Sequence, residues 1–139
     1  MTGGHRPAWT RRSRRDALVR RTIEDLATAL TARDDHGIRA VLRPDVELVI
    51  DTGDVPPTVR ASSGTGPTGS ETRRDAAVGL RRLMTDDVTV MTASVNGTPG
   101  LLLVRAGAVI GVVTAQPRGR LLANVWVVSN PDKLRHWNR

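Results

Sequence analysis

The sequence has 139 residues, 39% of them apolar, no cysteine and a formal net charge of +7, which is enough chain for one domain around a single hydrophobic core. Disulfides and thiolate metal sites are excluded, and His5, His36 and His136 are too scattered to form a ligand set, so neither a metal nor any other cofactor is expected. No apolar run approaches the roughly 18 residues of a membrane span, and the Arg-rich start is not followed by the apolar stretch of a secretory signal, so a cytoplasmic protein without membrane contact is expected.

The charge sits at one end. Arg6, Arg11, Arg12, Arg14, Arg15, Arg20 and Arg21 face only Asp16 within residues 1–21, so the rest of the chain is nearly neutral. Residues 1–15 read as a basic flexible arm and residues 16–139 as one domain. A basic arm can touch phosphates, but this one carries a single aromatic, Trp9, and no recognition-helix pattern, so nucleic acid is not the expected partner. Lys133 stands alone against twenty arginines, a skew that points to GC-rich coding of an actinobacterial kind rather than to a phosphate-binding design.

From Asp16, a fair N-cap, residues 16–33 place Val19, Ile23, Leu26 and Leu30 on one face of an amphipathic helix. Ile38, Val41 and Leu42 form the face of a short second helix that Pro44 should stop, with His36 at its boundary before Gly37. A strand follows from Val46 to Asp51, then turn residues, and Pro56-Pro57 make a loop or a ragged edge strand. The Gly, Ser and Thr of residues 61–70 predict a flexible loop. Ala76, Leu80, Leu83 and Met84 mark a third helix, capped by Ser70 or Thr72. Four strands then follow, "VTVMTASV", "GLLLVRA", "AVIGVVTAQ" and "RLLANVWVVS", separated by turns at "NGTPG", Ala-Gly and "PRG".

Helices first and a meander afterwards predict an α+β protein, with one curved antiparallel sheet packed on three helices. The segments "VNGTPGLLLV", "VIGVVT" and "VVSNPDKL" resemble the C-terminal domain of SigJ-type extracytoplasmic-function sigma factors, within the SnoaL-like, nuclear-transport-factor-2-like superfamily. The likeness spans residues 20–136. It implies a cone-shaped sheet with the final strand integral to it and NPDKL turning the chain back onto it. Where that domain typically has a DGGGK-like motif, this sequence reads Asp51-Thr52-Gly53-Asp54-Val55, and the sigma regions are absent from it.

The resemblance implies a pocket in the cone for a hydrophobic small molecule. On that reading the chain is a cofactor-independent acid/base enzyme of cyclase, isomerase or epoxide hydrolase type in secondary metabolism. The alternative is a stand-alone ligand-binding or regulatory module without catalysis. Asp51 and Asp54 are the catalytic candidates, since a carboxylate at the end of a buried strand can be desolvated into a usable base, although Asp before Gly is also a common turn former. Trp126, Asn124, Ser94, Asn96 and Arg60 are the ligand-binding candidates. Trp9 could fold over the pocket mouth as a lid, and Trp137 reads as a terminal packing residue. Trp126 and Val128 share one strand face with Asn124, and a homodimer over the outer face of the sheet would cover them.

Overall fold

Val19, Ile23, Leu26, Ala29 and Leu30 recur at helical spacing along α1 (Ala8–Ala32) and are all buried, which gives that helix a continuous apolar stripe. In this computed structural model the described residues are 8–51, 58–60 and 69–138, with side chains described over 14–51 and 72–138. α1 starts eight residues before the expected boundary, so Asp16 is an interior helical residue and residues 8–15 of the expected arm continue the helix.

No glycine ends α1. Arg33 takes the left-handed conformation at φ 54°, while its N–H donates to the Leu30 carbonyl and that of Asp34 to Ala29, the paired bonds of a Schellman close. The Arg33 guanidinium then donates to the carbonyls of Thr85 and Val88 at 2.7 and 2.9 Å, tying the helix end to the start of the third strand. Asp34 caps α2 (Asp35–Ala40) by accepting from the His36 N–H. Gly37 therefore lies inside α2 rather than at a boundary. A Cβ there would meet the Asp34 carboxylate at 2.8 Å, so a larger residue would displace the side chain that caps the helix.

α2 stops at Ala40, before Pro44, and Leu42 and Pro44 belong to β1 (Leu42–Asp51). The proline is tolerated because the pairing of β1 with the last strand skips from Leu42 to Glu47 across an irregularity, where no ladder donor is needed. β2 (Thr58–Arg60) is the short edge strand, α3 (Gly69–Arg82) follows, and β3 (Val88–Val95), β4 (Thr98–Arg105), β5 (Ala108–Arg118) and β6 (Leu121–Val128) form the meander. Ser70 and Thr72 lie within α3 rather than ahead of it. Residues 61–68 of the expected loop lie outside the described residues.

The sheet runs β2-β1-β6-β5-β4-β3. Every neighbouring pair is antiparallel except β1 with β6, which is parallel. The helices cover its inner face, where Leu48, Leu101, Leu103, Val113, Val125 and Val127 join α1, α2 and α3 in one core. A smaller cluster lies on the outer face: Val95 and Val112, with Leu102, Val109 and Val128 beside them, are covered by Leu134 and Trp137 from the segment after β6. The Asn138 side chain fixes that segment, accepting from the Val109 N–H at 2.7 Å and donating to its carbonyl at 3.0 Å. The architecture is the expected cone-shaped α+β domain on three helices.

Candidate functional site

Alternation along β1 decides where its carboxylates point. Val46 and Leu48 are buried in the core, so Glu47, Val49 and Asp51 project to the outer face. Asp51 is therefore not aimed into an aliphatic cavity. Its side chain is 14% exposed and ion-paired with the Lys133 ammonium at 2.5 Å, and its carbonyl accepts the N–H of Ser129 at 2.8 Å. The Lys of NPDKL thus seats the segment after β6 on the end of β1. Asp54 lies outside the described residues.

Trp126 and Asn124 also face outward. Trp126 sits between Val49 of β1 and Thr114 of β5 and is 39% exposed, so it is not a stacking platform within the cone. Asn124 pairs in register with Glu47 and Gln116 and lines a polar cleft of about 300 Å³ with Asp45, Glu47, Arg118 and Ala123. Arg60 closes β2 opposite Leu48; its side chain is outside the described part.

Ser94 lines a different cleft. It lies between α1 and the β3–β4 hairpin, holds about 240 Å³, and takes in Asp16, Arg20, Glu24 and Thr92. Asn96 is a turn residue at φ 52° followed by Gly97 at φ 80°, the two-residue connection its Asn-Gly dipeptide favours. The described candidates are thus distributed over an outer face and a separate cleft, and do not converge on one site.

The inner face offers little chemistry. Val46, Leu48, Val88, Leu101, Leu103, Val113, Ala115, Val125 and Val127 are between 0 and 6% exposed, so protein atoms close over them. Thr92 and Ser94 bring polar side chains to the helix-side surface of the sheet where they meet α1. Asp16, Arg20 and Glu24 are spaced four apart in sequence and so share a helix face, a pattern that was available to sequence reading and signalled this cleft. Among the described residues no group of three or more His, Asp or Glu is placed to hold a metal, and no helix is long and apolar enough to cross a membrane.

No protein-family model and no curated protein matches the sequence. Solved structures match the fold. IdmH of Streptomyces antibioticus, a proposed polyketide cyclase, superposes with a TM-score of 0.52 at 15% identity, covering 84% of this chain and 94% of that one. The extracytoplasmic-function sigma factor SigJ of Mycobacterium tuberculosis gives 0.55 at 23% identity over 91% of this chain. This chain spans 47% of SigJ, about half its length. A de novo designed protein with a curved β-sheet gives 0.56 at 19% identity, over 86% of this chain and 91% of that one. The fold is SnoaL-like, of the nuclear-transport-factor-2 kind. An invented sequence reaches the same geometry, so fold and chemistry must be argued apart.

Proposed function

We propose that this chain is a non-catalytic binding module, a SnoaL-like domain that takes a hydrophobic small molecule as a regulatory ligand. The observation that carries this reading is the Asp51–Lys133 pair on the outer face, which supports a structural rather than a catalytic role for the leading carboxylate. The likeness to SigJ, in which a domain of this shape is part of a sigma factor, supports a regulatory setting.

A second reading, an acid–base enzyme of the cyclase or isomerase type, is favoured by one feature: the α1–β3–β4 cleft, where Asp16 and Glu24 stand with Ser94. The two are separated by incubating the protein with extracts of its host's small molecules and following consumption by mass spectrometry, with an anilinonaphthalene sulfonate as reporter of apolar binding. The module binds the dye, consumes nothing, and is altered by Asp51→Asn only in thermal stability. Turnover lost about a hundredfold in Asp51→Asn would return catalysis to that residue, and loss in Glu24→Gln would assign it to the cleft.

A further inference from the structure

A groove between α2 and α3 stands apart from the inner face and from both clefts described above. It is lined by His36, Arg39, Ala40 and Arg73 and holds about 190 Å³. No carboxylate among the described residues lines it. The acids at the start of α2 are engaged elsewhere: Asp34 accepts the His36 N–H, and Asp35 pairs with Arg81 at 3.9 Å.

Arg73 is the unusual member. Its Nε is buried and donates to no acceptor among the described residues, a costly state for a guanidinium hydrogen. Arg33 also has a buried Nε without an acceptor, but its other nitrogens donate to the carbonyls of Thr31, Thr85 and Val88, so that side chain has a structural task. Arg73 has no such task among the described residues, and its side chain lines the groove.

We propose that this groove is an anion site for a phosphate group, with Arg73 and Arg39 as a two-guanidinium clamp and His36 as a third donor. A guanidinium fork matches phosphate oxygens two at a time, and donors arriving from two helices suit a tetrahedral group better than a planar carboxylate. The volume is below the roughly 300–1,000 Å³ of pockets that enclose whole ligands, so the site takes either free phosphate or the head of a molecule that extends outside. This site does not depend on the binding-module reading, since its residues are neither the Asp51–Lys133 pair nor those of the α1–β3–β4 cleft.

The test is a thermal-shift and calorimetric titration with inorganic phosphate, methyl phosphate and acetate, at ionic strength held constant with sodium chloride. Inorganic phosphate is expected to raise the melting temperature saturably and acetate to do so far less. Arg73→Gln and Arg39→Gln should each weaken phosphate binding by about tenfold or more while melting like wild type in chloride. Methyl phosphate binding as tightly as phosphate indicates the head of a larger molecule, and weaker binding indicates the free anion; each supports the site. If Arg73→Gln fails to fold, Arg73→Lys, which keeps the charge and loses the fork, supplies the comparison. No stabilisation beyond that of chloride, or equal affinity in wild type and the variants, would overturn the proposal.

Discussion

Ala106 holds φ at 54° in the β4–β5 turn, ahead of Gly107 at 80°. A left-handed backbone costs a residue with a Cβ about 1–2 kcal/mol, and only Asn, Asp and Gly adopt it readily. Ala106→Asn, which creates the favoured Asn-Gly pair, should therefore raise stability by about 0.5–1 kcal/mol, read as a higher urea midpoint with unchanged slope. Two carboxyls contribute to the acid side of the stability profile. The Arg43 guanidinium hydrogen-bonded to Asp45 holds that carboxyl below its ordinary 3.8, and the Thr85 hydroxyl donating to Asp87 at 2.7 Å does the same there. Both acids are depressed in the folded chain, so what they contribute is present above pH 3.8 and is lost as the pH falls through their lowered values. In Asp45→Asn with Asp87→Asn, the decline in melting temperature below that pH should be shallower than in wild type.

Among the elements, the segment after β6 joins sequence to architecture most directly. Leu134 is 4% exposed and closes the outer cluster, so Leu134→Ala should cost about 2–3 kcal/mol, the lower part of the range for a core leucine because the cluster is small. Lys133→Ala should cost only about 1 kcal/mol, since the ammonium is largely exposed; chemical denaturation of the two variants checks the order. Much of this was legible beforehand. The last four strands fall within two or three residues of their expected limits because Asn-Gly, Ala-Gly and Pro-Arg-Gly punctuate a period-two pattern. The α1 close was not legible, as Arg33 does there what glycine usually does. Pro44 misled because a proline ends a helix but is equally admitted in a strand that bulges. Asp51 was recognised as a special residue, but its direction was not. One residue of register decides the face, and the lysine that holds it lies 82 positions away.

At the scale of the whole molecule, the outer face divides into a covered and an open part. Val128, expected to need a partner subunit, is packed by the segment carrying Leu134 and Trp137, whereas Trp126 keeps 39% of its surface exposed. A homodimer, if it uses this face, is therefore centred on Trp126 and Val49 rather than on Val128. Sedimentation at high micromolar concentration should show a dimer for wild type and a monomer for Trp126→Arg; a monomeric wild type removes the idea.

The order of the strands sets the order in which the protein can fold. β6 lies between β1 and β5 in the sheet although residues 121–128 are the last strand in sequence. Until those residues are made, β1 and β2 form a two-stranded ribbon with an unpaired edge, and β3, β4 and β5 form a separate meander. Neither fragment has the complete inner face that the helices need. Long-range pairing of this kind is slow, so a nascent chain would expose β1 as an open edge, available to chaperones or to other copies, from residue 51 until residues 121–128 are made.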